Sequence, residues 1–576
     1  MTDRRIASAL RGLLAALALA AGPVQAATAQ GLAGSYLAAS QADVGDDYAA
    51  AADYYRRALV FDPDNLAMLQ NAAVAEVAAG DMATAESLAN QLIEEVPTSP
   101  IAILVVLAQS LSEGDFAKAQ KVIDQAGPEA NPLLTGLIGG WIAAGRDDFT
   151  EAQRRFDAMN ANEALAAYGR YHKALALALA GDFVTAQTIL AGGEAGPLHL
   201  SRAAIIAHAQ ILAQIDRSDE AIALLDEAVA GGFPDATLID LRDRLKAGEE
   251  VPFTQITKAQ DGAAEAFLTM AEGLNAPESG RLAIIYARLA QAIRPDLTEA
   301  ALVASEALAR EGQFALANEA LAGIGPDSPW YVTAQIRLAA NQREADDADG
   351  AIATLQALAK ANPDQLEVQA ALGDNLRMSE RFAEAAEAYG AAIALLGDPQ
   401  PAQWGLYYSR AISYERSGQW PQAEADFREA LKLAPDQPMV QNYLGYSLVE
   451  QQRDLDEALG LIQAAVSEEP DNGFITDSLG WVLYRLARSD EAVSPMLRAV
   501  ELEPVDPVIN DHLGDVLWKV GRKREATFQW KRALSFGPSE DLDMDRVRRK
   551  LDVGLDQVLN DEKTAPAPEA KPQNGG

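Results

Sequence analysis

Apolar side chains along this chain return on two periods at once. Within short stretches they recur three or four residues apart, the spacing that lines one face of an α-helix. Over residues 402–540 a fixed set of small and bulky positions then returns every 34 or 35 residues. The first set is Ala411, Ala423, Phe427, Ala430 and Pro435, and the second is Gly445, Ala458, Ile462, Ala465 and Pro470. The third is Gly480, Ala492, Met496, Ala499 and Pro504, and the fourth is Gly514, Ala526, Trp530, Ala533 and Pro538. A small residue such as Gly480 suits the place where two helices touch, and alanines such as Ala492 suit the same contact from the other side. The bulky members, Phe427, Ile462, Met496 and Trp530, are sized to fill the space between pairs. Proline closes each set because it cannot continue a helix and turns the preceding residue away from helical geometry. Each set therefore predicts a helix–turn–helix unit that buries its apolar faces only by stacking on its neighbours.

Weaker copies of the pattern extend toward the N-terminus. Tyr48, Ala51, Tyr55, Ala58 and Pro63 form one second-helix signature, and Ala85, Leu92 and Pro97 form the next. The turns Gly114-Asp115-Phe116 and Gly181-Asp182-Phe183 open further copies. In all the chain predicts about 14 stacked units, an all-α solenoid wound as a right-handed superhelix. Residues 30–231 read as an N-terminal array and 263–540 as a C-terminal one. Between them, 232–262 breaks the rhythm and reads either as a degenerate repeat that stacks normally or as a hinge. An amphipathic segment at 541–560 is expected to cap the last pair, and 561–576, rich in Pro, Ala, Lys, Glu and Gly, to be a disordered tail. Coupling between neighbours alone predicts gradual unfolding rather than a single step.

Residues 1–29 read as an export signal: Arg4, Arg5 and Arg11, then the apolar run Leu13–Ala21, then small-x-small sites ending at Ala26 and Ala29. That run is short for a membrane span of ~20 residues. The expected location is the periplasm. There is no cysteine, so neither a disulfide nor a lipid-modified cysteine anchor is available.

The formal net charge is -37, which opposes general binding to nucleic acid or anionic lipid, where neutralising phosphate drives affinity. Residues 507–560 differ, carrying ten Lys/Arg against nine Asp/Glu. Arg522-Lys523-Arg524 and Arg546, Arg548, Arg549 and Lys550 are the local basic clusters. They read as solvated helix ends and faces, or as a docking point for an acidic partner or for the envelope surface. The histidines His172, His199, His208 and His512 lack metal-ligand spacing, and no nucleotide-binding loop or nucleophile elbow occurs. The chain is expected to be no enzyme and to need no cofactor or metal.

The fingerprints NYLGYSLV at Asn442–Val449, DSLGWVLYR at Asp477–Arg485 and DHLGDVLWK at Asp511–Lys519 resemble those of proteobacterial envelope tetratricopeptide-repeat (TPR) proteins. Some relatives are outer-membrane lipoproteins, and this chain departs from them in lacking the lipidated cysteine. The resemblance implies that first-helix residues line a groove that holds peptides. Carried over, the candidates are Asn442, Tyr446, Asp477, Trp481, Tyr484, Arg485, Asp511, Asp515, Trp518 and Lys519. Chaperone-binding relatives clamp a terminal carboxylate with Lys, Asn and Arg, but Asp477 and Asp511 stand at two such places here. Aromatic and acidic side chains together favour a basic or apolar extended segment. Trp481, Tyr484 and Trp518 equally suit packing between repeats. The function expected is an exported scaffold for protein–protein contacts. Alternatives are an adaptor in outer-membrane biogenesis or polysaccharide export, or a regulatory subunit of an envelope enzyme.

Overall fold

The computed structural model describes residues 31–126, 131–192, 201–230, 236–274, 279–539 and 542–564. The expected signal at 1–29 and the tail residues 565–576 lie outside them. Among the described residues all regular structure is helical. The chain forms two compact units, the first ending at Thr354 and the second beginning at Leu355. The stretch expected to divide the chain, 232–262, lies within the first unit. It contributes a helix, Ala236–Lys246, and then a non-helical strap over 247–258.

The second unit realises the repeating pattern most regularly. Its hairpins are Leu366–Met378 with Phe382–Ala394, Trp404–Arg416 with Trp420–Leu433, and Pro438–Glu450 with Leu455–Glu468. Gly473–Arg485 pairs with Ser489–Leu502, and Pro507–Lys519 with Lys523–Phe536. A methyl group on Gly373, Gly445, Gly480 or Gly514 would come within 2.8, 2.7, 2.5 or 2.3 Å of Tyr389, Ile462, Met496 or Trp530 respectively. Those bulky side chains are buried, as are Phe427 and the alanines Ala423, Ala458, Ala492 and Ala526. Burying each large apolar side chain contributes roughly 1.5–3 kcal/mol.

The turn inside each hairpin needs one residue in the left-handed region. Gly80, Gly114 and Gly181 serve there at φ 92°, 74° and 83°, whereas Ala487 is held at φ 60°. The second helix then starts with one of two corners, unevenly spread over the units. In the first, Asp47, Asp81, Asp115, Asp148 and Asp182 each accept a hydrogen bond from the backbone N–H three residues on. Such a cap stabilises a helix by ~1 kcal/mol. In the second unit Arg381, Arg488 and Arg522 occupy that corner and fork onto Glu384, Glu491 and Glu525, as Arg217 forks onto Glu220 in the first.

The expected single capping segment is two helices, Met544–Val553 and Leu555–Thr564, separated at Gly554 with φ 86°. Residues 561–564, expected in the tail, are therefore helical.

A feature absent from the sequence reading dominates the first unit. After the strap, the helices Ala259–Gly273 and Gly280–Ile293 do not simply extend the array. The former packs on Pro100–Ser112, Gly139–Gly145 and Glu163–Leu179, and the latter on Leu66–Ala79 and Pro100–Ser112. Those four are the first helices of successive hairpins, so this pair covers the face on which the resemblance places a peptide. Gln210 Nε2 donates to Thr254 Oγ1 at 3.0 Å and accepts from Thr254 N–H through Oε1 at 3.0 Å, while Gln214 Nε2 donates to the Val251 carbonyl at 2.7 Å. Further along, a methyl on Gly262 would lie 2.3 Å from the buried Trp141 indole. Trp141 Nε1 donates to His172 Nδ1 at 3.0 Å, and His172 Nε2 meets Thr269 Oγ1 at 3.3 Å. Burial drives the His172 pKa down to about 3, so the ring is neutral. At the far end Arg281 reaches Asp43 Oδ1 at 3.1 Å and Asp46 Oδ1 at 2.6 Å.

Two stability measurements check this account. Gly262→Val should destabilise the first unit by ~1–3 kcal/mol or more, because the new side chain meets a packed indole. Hydrogen exchange should then show lost protection in Pro100–Ser112 while Gly473–Arg485 is unchanged. Ala487→Gly should raise stability by ~0.5–1 kcal/mol, since relief of the left-handed strain exceeds the added chain entropy. A denaturant midpoint lower than that of the parent would contradict it.

Candidate partner-binding face

In the second unit the first helices of adjacent hairpins touch directly, Pro438–Glu450 against Gly473–Arg485 and Gly473–Arg485 against Pro507–Lys519. Their repeat offset of 34 or 35 residues brings equivalent positions into register. Asn442, Asp477 and Asp511 form one such row, and Tyr446, Trp481 and Asp515 another. The ten candidates therefore share one face, but they are in three different conditions along it.

At the C-terminal end the face is occupied. Lys550, on Met544–Val553, has no solvent exposure, and its Nζ lies 2.6 Å from Asp511 Oδ2 and 2.7 Å from Asp515 Oδ1. Asp515 Oδ1 also accepts from Trp530 Nε1 at 2.9 Å, and Arg546 stands 3.8 Å from its other oxygen. Burial holds the Asp515 carboxyl above the ordinary carboxylate range despite the pull of the Lys550 ammonium. From Leu555–Thr564, Asp556 accepts from Trp518 Nε1 at 2.9 Å and from Lys519 Nζ at 2.6 Å.

In the middle, the candidates pack on each other. Trp481 is 7% exposed. Its ring lies parallel to His512 at 3.9 Å and to Tyr484 at 4.9 Å, and Nε1 donates to Glu450 Oε1 at 2.6 Å. Arg485 stands 3.9 Å from the same carboxylate. His512 Nδ1 lies 2.9 Å from Asp477 Oδ2. Burial disfavours the imidazolium, but Asp477, together with Asp511 and Asp515, outweighs it and raises the His512 pKa.

Of the two readings open for the aromatic candidates, packing between repeats is the one seen for Trp481 and Trp518 here, and the acids beside them are not free. Asp477, Asp511 and Asp515 are 5%, 3% and 1% exposed. Their charges are met by His512 on the next first helix and by Lys550 and Arg546 on the terminal pair. Trp481 and Trp518 are packing residues whose ring nitrogens are already bonded. Lys550 and Arg546, read from the sequence as part of a solvated face or of a docking point, are buried and part-buried.

Nearer the N-terminal side of the unit, the face is open. Asn442 and Tyr446 are half-buried, and the Asn442 Oδ1 atom accepts no hydrogen bond within the protein. Around them stand residues that the sequence reading did not select. Met439 and Phe474 are 49% and 55% exposed at equivalent places 35 residues apart. Tyr408 and Ile412, half-buried, occupy the positions equivalent to Asn442 and Tyr446, and Glu415 and Glu450 supply acid at the helix ends. The same 34–35 residue offset that picked out Trp481 picks out these residues too. Among the described residues no cluster of three or more His, Asp or Glu side chains could hold a metal ion, and no helix is long and apolar enough to cross a membrane.

Stacked helical hairpins with a small-against-large contact inside each define an all-α repeat scaffold. Tetratricopeptide-repeat family models match residues 36–100, 408–473 and 333–364. The chain carries tetratricopeptide repeats over these residues. It is 36% identical over 85 residues to a TPR repeat-containing protein of Pseudomonas aeruginosa, a match covering 15% of this chain and 14% of that relative. Among solved structures it is similar to the Cut9–Hcn1 hetero-tetramer of APC/C, at 15% identity and a TM-score of 0.37 over 80% of this chain and 98% of that one. A tetratricopeptide repeat protein from Parabacteroides merdae is also similar, at 15% identity and a TM-score of 0.37 over 45% and 98%. YrrB, a TPR protein with an unusual peptide-binding site, is similar at 18% identity and a TM-score of 0.27 over 36% and 97%.

The imidazole provides a pH test. Its pKa in the folded protein is raised above the ordinary 6.5, so its stabilising contribution is complete below that value. The contribution is lost as pH rises through the folded pKa. The stability difference between the parent and His512→Gln should therefore be larger at about pH 5.5 than at about pH 9. Denaturant titrations of both proteins at the two pH values check it, and a difference that grows with pH would contradict the assignment.

Proposed function

We propose that this protein is a non-catalytic scaffold of the bacterial cell envelope that holds an extended segment of another protein on the open part of the second unit's first-helix face. TPR proteins in general mediate protein–protein contacts. The observation that carries the reading here is the exposed pair Met439 and Phe474, one repeat apart at the starts of adjacent first helices, with the acids Glu415 and Glu450 at the opposite ends of the first helices. Apolar anchors commonly dominate such an interface, while rim acids steer a basic partner toward it. The first unit is a poor candidate for the same role, because its own helices Ala259–Gly273 and Gly280–Ile293 cover the equivalent face. The export signal at 1–29 supports a periplasmic location, and the excess negative charge suits a basic partner rather than nucleic acid.

The test begins with proteins captured by the parent from an envelope fraction. Met439→Ser with Phe474→Ser should weaken the specific partner by more than ~10-fold, with helicity unchanged by circular dichroism. Glu415→Gln should instead leave affinity at high salt unchanged and flatten its salt dependence. Equal capture by all variants would remove the face from consideration. The mature N-terminus, read by mass spectrometry, should follow Ala26 or Ala29, and an intact Met1 on cytosolic protein would refute the envelope location.

A further inference from the structure

We propose that Asp511 and Asp515 form a receptor for a lysine side chain of the partner, and that Lys550 is the chain's own exchangeable occupant of it. The proposal deepens the reading above, because these two acids continue the rows of Asn442 and Tyr446 on the same face.

Three observations carry it. The first is the occupant itself: an ammonium is seated between two buried carboxylates at 2.6 and 2.7 Å, which states the ligand chemistry directly. The second is that the site has unused capacity. Asp511 Oδ1, Asp515 Oδ2 and the neighbouring Asp477 Oδ1 are buried and accept no hydrogen bond within the protein. All three residues are more than nine-tenths buried. An ammonium carries three donors, and Lys550 spends one on each of two oxygens, so further donors from an incoming segment would find acceptors waiting.

The third is how the terminal pair is held. Across Met544–Val553 and Leu555–Thr564 the buried residues are Val547, Lys550, Leu555 and Val558. By contrast, Pro507–Lys519 buries the continuous run Ile509–Leu517. Beyond the pair's own buried residues, part-buried Leu551 and Leu559, and the approach of Gly554 to the Trp518 ring, its hold on the array is polar: Asp556 with Lys519 and Trp518, and Arg546 with Asp515. Other ion pairs, Arg546 with Glu562 and Arg549 with Asp561, lie within the pair and travel with it. The exposed pairs among these, Lys519–Asp556, Arg546–Glu562 and Arg549–Asp561, are weak and screened by salt. Breaking the buried contact without replacement is costly, but a partner lysine taking Lys550's place restores the charge balance. Exchange of one ammonium for another is therefore the route by which the pair is released.

The absence of cysteine makes a specific lock possible. In the full chain, Lys519→Cys and Asp556→Cys would be joined by a short bis-maleimide. The unjoined variant, lacking the Lys519–Asp556 pair, favours release. The probe is a fluorescein-labelled synthetic peptide of residues 544–553, which carries Lys550. It should bind the unjoined variant and lose at least ~10-fold on joining. A peptide with Lys550→Gln should bind about 30-fold more weakly than the parent peptide. In the unmodified chain, hydrogen exchange at 544–564 should quicken with added salt while 507–519 stays protected. Equal binding to joined and unjoined protein, or equal binding of the two peptides, would overturn the proposal. So would no binding together with exchange at 544–564 as slow as at 507–519. In each of those cases an effect of Met439→Ser with Phe474→Ser on the captured partner would leave the scaffold reading standing.

Discussion

The first helix of every hairpin in this chain has two apolar faces to hide, and pairing with its second helix hides only one. The rest of the structure depends on how the other face is covered. In the first unit the chain covers it with its own residues, laying Ala259–Gly273 and Gly280–Ile293 across four successive first helices. Pro100–Ser112 is consequently apolar and buried on nearly every side, from Ile101 through Leu111 with Gln109 the exception. In the second unit cover comes from the terminal pair at one end and from aromatic stacking in the middle, and part of the face is left to solvent. The two units share a repeat and differ in what that repeat leaves available.

Charge follows the same division. A chain with a net charge of -37 still sets a cation against several of its buried acids. Glu76 accepts from Arg56 Nη1 through both carboxylate oxygens, at 3.0 and 3.1 Å. Asp477 takes His512, and Asp511 and Asp515 share Lys550. A buried carboxylate without such a partner would protonate or destabilise the fold. The excess of acid is accordingly a property of the surface.

Much of this was legible in the sequence, and the rest was not for definable reasons. Gly480 against Met496 and Gly514 against Trp530 are contacts within one hairpin, so a fixed spacing announces them. The partners of Asp477 and Asp511 come from 35 and 39 residues away on other elements, and spacing within a repeat cannot say that they arrive. Burial of Asp515 was hidden because acid on a first helix reads as solvated until a lysine is placed over it. The helices that cover the first unit did leave a trace. The run PIAILVVLAQSLS at Pro100–Ser112 has no polar stripe, and a helix apolar all round is buried all round. The break at 232–262 marks the strap that carries those covering helices into position.

The covering helices also change the order in which the molecule can be built. An open array completes each interface as soon as the next hairpin exists, so its growing end is never far from finished. Here Arg281 closes onto Asp43, 238 residues earlier in the chain, and the face of Leu66–Ala79 is not sealed until Gly280–Ile293 has been made. A ribosome must deliver more than two hundred residues before that first core becomes watertight. Contacts this remote in sequence slow folding, and in the finished protein they tie hairpins that would otherwise feel only their neighbours. The first unit should consequently melt as a single block. The nascent chain would meanwhile present a long-lived apolar strip to any chaperone that meets it.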